Sequence, residues 1–313
     1  MAHRAVGHAD RLSSRRTASS AGLLPAIIPG TIPVHDNHFH CKPNGWKGIG
    51  AVREFMAAGG TSIAHVRLPT YPSNVAAFEA DCRAHVDFSR RIRAQTGCTV
   101  WSAVGPYPLE PMRLAETLGW PAAEEFARGC FDVAGRLCAE GLAHCIGEVG
   151  RAHFDVPAEV QERNNALLRY GMGVARDAGV PIMLHTEHAE VATMHEFARM
   201  ADDSGLRRDR VIKHYCGPLV GEAETAGLVP SIICGRSNLH AALGKAPRTS
   251  DAAPLEFMLE TDYIDEPTRP NVVMPCDTVP KRTLGLVVNG EMSERQVYIT
   301  HKELPERLYG APS

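Results

Sequence analysis

Eight short apolar runs, separated by longer stretches patterned as helices, constrain this chain more than any other feature. The runs are TIPVHDNHFH, TSIAHVRL, CTVWSAVGP, AHCIGEVG, PIMLHTE, RVIKHYC, VPSIICG and EFMLETDY. Each has the length and the Ile, Val and Leu content of a buried strand. Between them lie segments such as VREFMAAGG, NVAAFEADCRAHVDFSRRIRAQTG, PAEVQERNNALLRYGMGVARDAG and EVATMHEFARMADDSG. Their apolar spacing and terminal glycines read as amphipathic helices with glycine stops. Eight strands alternating with helices predict an α/β fold, a single (β/α)8 TIM-type barrel over residues 31–313. At 313 residues with 44% hydrophobic content, the chain is long enough to fill such a core.

A barrel places reactive side chains at the carboxyl ends of its strands. His38 and His40 close the first run, Glu148 the fourth, His185 the fifth, His214 the sixth and Asp262 the eighth. On a strand, His38 and His40 share a face while Asn37 and Phe39 point the other way. Singly, each histidine also reads as a satisfied core residue, and Glu148 as an interior salt-bridge partner. Together they put four imidazoles and two carboxylates at one end of the barrel, and unpaired buried charge is costly. The set reads as a metal site. Asp36 either orients an imidazole or caps or salt-bridges at the barrel's bottom. Lys213 neighbours His214 but alternation turns it toward the helices, so it is left out of the site.

The remaining composition narrows the class. Arg4, Arg11, Arg15 and Arg16 against Asp10 give residues 1–30 a net +3, leaving about −6 on the rest, so the body is no general attractor of nucleic acid. Residues 1–30, rich in Arg, Ser and Ala, read as a disordered extension, with a transit peptide as the other reading. Nine cysteines without a C-x-x-C pair indicate neither a disulfide framework nor a thiolate zinc cage, and fit a reducing cytoplasm. No apolar run is long enough to span a bilayer, so no membrane partner is expected.

From about residue 34 onward the chain resembles the TatD-like metal-dependent hydrolases of the amidohydrolase superfamily, within a divergent branch of predicted hydrolases. The resemblance rests on HFH, IGEVGR, IMLHTE, VIKHY, LETDYIDEP and the closing ELPERLYG, in that order. It implies two divalent metal ions, one held by His38, His40 and Asp262, the other by His185 and His214, with Glu148 bridging. Imidazole and carboxylate ligands without thiolate suit Zn, Mn, Mg, Co or Ni. Such a centre activates water for hydrolysis. Asp262, and with it Glu148, then counts as catalytic: Asp262 serves either as ligand and proton shuttle or as ligand alone.

Arg151, His153, Glu187, Tyr263 and Arg269 follow strand ends closely and are candidate substrate contacts, as are His188, Tyr215 and Arg236. The proline-rich stretch after Asp262 reads as a long loop over the mouth, with Asp265, Arg269, Lys281 and Arg282 either setting specificity or belonging to a rigid crossover. Three functions follow. The acidic body favours a small-molecule substrate with an amide, lactone or ester bond. The resemblance also allows a metal-dependent deoxyribonuclease or phosphodiesterase with nucleic acid as partner. A metal-stabilised, non-catalytic binding protein comes last, because a protein that has lost turnover typically loses a ligand first.

Overall fold

A computed structural model describes residues 32–245, 254–266, 268 and 274–311. The expectation for residues 1–30 and the candidate contact Arg269 lie outside the described residues. The strands are β1 (His35–His40), β2 (Ser62–Val66), β3 (Thr99–Val104), β4 (Cys145–Gly150), β5 (Ile182–His185), β6 (Val211–Cys216), β7 (Val229–Ile233), β8 (Met258–Glu260) and β9 (Tyr263–Ile264). All pair in parallel, in the order β8-β7-β6-β5-β4-β3-β2-β1-β9.

Seven of the eight apolar runs each supply one strand, and the eighth supplies two. Its first piece, β8, pairs Met258 with Ser231 of β7, whereas β9 pairs Tyr263 with Phe39 of β1. The eighth run therefore joins the last strand to the first and closes the (β/α)8 barrel. The break falls at Thr261 and Asp262, where Asp262 takes φ 51°. Aspartate is among the few residues with a side chain that tolerate this left-handed region.

Helices cover the outside of the sheet, and their ends follow local chemistry. Val75–Thr96 starts where Asn74 accepts the Ala77 N–H at 2.9 Å and stops at Gly97, whose φ of 76° suits a residue without Cβ. Its buried Phe78, Cys82, Val86 and Ile92 recur at helical spacing and face the barrel. Inside the barrel, Ala64, Val66, Trp101, Ala103, Met183, Ile212, Val229 and Met258 pack with Leu304, Leu308 and Tyr309 of the last helix. That helix plugs the amino-terminal end, so the opposite end is left for chemistry. All nine cysteines are buried and free. Among the described residues, no helix is long and apolar enough to cross a membrane.

Candidate metal centre

In β5 and β6 simple alternation delivers the candidate ligands. Met183 and Ile212 face the interior core, so His185 and His214, two residues on, face it too. β1 behaves differently. Its pairing with β2 slips between Asp36 and Phe39, an extra residue that marks a β-bulge. Asn37, expected to point away from His38, consequently bonds inside the barrel: its Nδ2 donates to Ser231 Oγ at 2.9 Å and its Oδ1 accepts from Tyr309 at 2.6 Å. His38 and His40 still share a face, with their Nε2 atoms 3.0 Å apart.

Around that pair the carboxylates converge. Glu148 Oε2 lies 3.4 Å from His38 Nε2, 2.9 Å from His185 Nδ1 and 3.9 Å from His214 Nε2, while Oε1 lies 3.9 Å from His40 Nε2. Asp262 Oδ1 is 3.8 Å from His38 Nε2 and 3.6 Å from His40 Nε2. Ligand atoms about 2.1 Å from a tetrahedral divalent ion sit about 3.4 Å from each other. The observed separations bracket that value, so the cluster fits a metal without rearrangement. Among the described residues three groups have mutually close ligand atoms, His38–His40–Glu148, Glu148–His185–His214 and His38–His214–Glu260, and Glu148 belongs to the first two.

The charges support one another. Burial opposes ionisation of Glu148, but His185 and His38 beside it hold the carboxyl well below its ordinary range. Burial likewise works against Asp262, and its bond to His40 with the neighbouring imidazoles outweighs it. Burial would lower His214, yet the Glu260 carboxylate raises it to about 9. His40 Nδ1 is fixed on the Val66 carbonyl at 2.9 Å, leaving Nε2 for the centre.

Glu260 is the residue that sequence reading missed. It is fully buried, 2.9 Å from His214 Nδ1, accepts the Tyr215 N–H at 2.7 Å and takes a hydrogen bond from Ser231. It also forms a close group with His38 and His214. With both oxygens engaged by protein donors, it acts as the carboxylate behind the imidazoles. The available signal was its position in β8, two residues before Asp262 in LETD and in phase with interior Met258.

The structure redirects several expectations. Arg151 and Glu187 pair with each other, the Arg151 Nε reaching Glu187 at 2.9 Å and its Nη1 reaching Asn165 and Glu196 at 2.9 Å each. Such a buried, saturated guanidinium fastens loops instead of meeting substrate. Tyr263 turns outward against Phe39 and donates to Asp265, because the strand break at Asp262 reverses its side. Asp36 accepts the N–H groups of His38 and Thr261 and the Thr261 hydroxyl, and among the described residues no imidazole hydrogen-bonds to it. Asp265 clamps the loop after β1 through the Lys47 and Gly48 N–H groups, both at 2.7 Å. A Cβ on Gly45 would lie 1.9 Å from that carboxylate, so only glycine fits. Lys281 pairs with Asp277. Lys213 is buried on the other strand face and donates to the His214 carbonyl at 2.6 Å. His153 does join the cluster, its Nδ1 3.0 Å from His185 Nε2.

Comparison with known proteins extends this picture. The chain is 33% identical over 281 residues to an uncharacterized protein of Methanocaldococcus jannaschii, covering 89% of this chain and 96% of that one. Its fold is similar to an organophosphorus hydrolase from Deinococcus radiodurans, with a TM-score of 0.59 and 17% identity over 91% of this chain and 94% of that one. A TatD homolog from Escherichia coli superposes with a TM-score of 0.56 and 16% identity, over 88% of this chain and 98% of that one. The model of the TatD related DNase family matches residues 35–310, from the first histidine of β1 to the end of the plugging helix. The chain therefore belongs to the TatD related DNase family and is a hydrolase.

Proposed function

We propose that this hydrolase carries two divalent ions and cleaves an ester, lactone or amide bond in a small molecule. The observation that carries the reading is Glu148, one carboxylate shared by two groups of histidines. His38, His40 and Asp262 would hold one ion and His185 and His214 the other, with Glu148 within reach of both groups. Bound ions supply Lewis acidity and bring the ionisation of water toward neutral pH. With Oδ1 of Asp262 turned to His38 and His40, its Oδ2 accepts the proton that water loses. The buried walls of the barrel exclude bulk solvent and keep these charges strong. The ligand chemistry admits Zn, Mn, Mg, Co or Ni, since no thiolate reaches the cluster.

A deoxyribonuclease is the second reading, favoured by the description of the family model. The net charge of −3 speaks for the small molecule, because phosphate backbones are held by Lys and Arg. Elemental analysis of the purified protein, followed by turnover of phosphodiester, ester, lactone and amide substrates after Mn or Zn addition, tests both. Near two ions per chain with carbonyl-substrate turnover is the expected result. Cleavage of phosphodiesters alone favours the nuclease, and failure to bind metal refutes the centre.

A further inference from the structure

The mouth of the barrel is lined with aromatic rings that neither the fold nor the ligand cluster requires. Tyr71, Phe154 and Tyr215 are 41%, 49% and 42% exposed, the first two on loops after β2 and β4 and Tyr215 near the carboxyl end of β6, and Tyr107 follows β3. Three of the four are tied to the histidines. The Tyr107 hydroxyl is 3.3 Å from His185 Nε2, with ring centroids 4.9 Å apart. Phe154 meets His153 edge-on at 5.2 Å, His153 meets His185 at 5.0 Å, and the Tyr215 ring lies 5.9 Å from His214. The backbone N–H groups of Tyr71 and Tyr107 both donate to Glu110, at 3.3 and 3.0 Å, which ties their two loops together.

Two of these positions are costly to the chain. Tyr71 and Tyr215 have φ of 54° and 52°, a left-handed backbone that bulky residues rarely adopt. Their rings are too exposed for burial to offset that strain. Contact with a ligand explains both features together.

Charge narrows the ligand. Arg67 is held by Glu110, Arg151 by Glu187 and Glu196, and Lys42 by Glu266, while Arg113 lies over the Tyr71 ring at 4.9 Å. Arg236, which opens the helix after β7, is exposed. Single-stranded nucleic acid needs a cationic groove alongside stacking rings, and among the described residues Arg67, Arg151 and Lys42 are already paired with carboxylates. Flat, uncharged aromatic groups are what such rings stack on.

Resting on the carbonyl-hydrolase reading above, we propose that the mouth selects an ester or lactone bearing an aryl group, seated against Phe154 and Tyr215 with its carbonyl at the ligand cluster. Hydrolysis joins the oxygen of water to the carbonyl carbon, breaks the carbon–oxygen single bond and passes a proton to the leaving oxygen. No other reactant is consumed.

The test compares methyl phenylacetate with methyl butyrate on the full-length, metal-loaded protein. The expected kcat/KM ratio favours the aryl ester by about tenfold, and Phe154→Ala and Tyr215→Ala each lower that ratio about fivefold. Calorimetry with phenylacetate and butyrate, with and without metal, reads the same preference independently of turnover. Equal handling of the two esters and equal binding of the two acids overturns the aryl proposal while leaving the carbonyl-hydrolase reading intact. Failure to cleave either ester, with phosphodiesters cleaved, overturns both. Binding of a single-stranded oligonucleotide that weakens in Tyr215→Ala, without a phenylacetate preference, reassigns the rings to nucleobases.

Discussion

Glu260 Oε1 lies 2.9 Å from Nδ1 of His214, the ring nitrogen opposite the one that faces Glu148. Its carboxylate is buried and anchored in turn by Ser231, which also holds Asn37 of β1. This polar chain links the bulged first strand to the back of the candidate cluster and sets a buried carboxylate against the His214 imidazole.

Glu260→Gln keeps the shape and removes the charge. Metal affinity is expected to fall about 10–100-fold, the usual cost of losing such a partner. Titration against a competing chelator measures it, with circular dichroism to check the fold. Unaltered affinity in a folded variant refutes the role of Glu260.

Asp262→Asn removes the proposed proton acceptor and the charge of one candidate ligand. Hydrolysis should drop by at least about a hundredfold while the barrel remains folded. His185→Ala should in addition lower the metal content found by elemental analysis. Full activity in a folded Asp262→Asn protein would contradict its assignment.

Arg67 and Glu110 form a buried pair, 2.7 Å apart, and Glu110 also accepts the N–H groups of Thr70, Tyr71 and Tyr107. Glu110→Ala leaves a buried guanidinium and three donors without their acceptor. Denaturant unfolding should show a loss of about 3–5 kcal/mol. A change below about 1 kcal/mol would mean that water replaces the carboxylate.

His301, at the closed end of the barrel, accepts the His35 N–H at 3.0 Å and pairs with Thr283 at 3.1 Å. Burial, with His35 nearby, lowers it to about 3. Because the unfolded chain protonates this group near 6.5 and the folded protein does not, its stability contribution is complete above pH 6.5. It is lost progressively as pH falls toward 3. His301→Gln should flatten the pH dependence of unfolding free energy in that window by close to one proton. An unchanged slope in urea titrations between pH 7 and pH 5 counts against this.

The eight strand-bearing runs, the helix stops at residues such as Gly97 and the order of the candidate ligands were legible in the sequence because they depend on local patterns. Alternation is local as well, and in β5 and β6 it correctly aims His185 and His214 inward. Tertiary structure decided the rest. The bulge that turns Asn37 inward with His38 arises from pairing with β2, some 25 residues away. The split of the eighth run at Asp262 arises from closing the ring against β1. Arg151 is withdrawn from the mouth by Glu187 and Glu196, and Glu260 is brought behind His214 by Ser231. Such pairings form between residues that sequence keeps far apart, and a buried charge is satisfied by whichever partner the fold brings near, so periodicity along the chain carries no record of them.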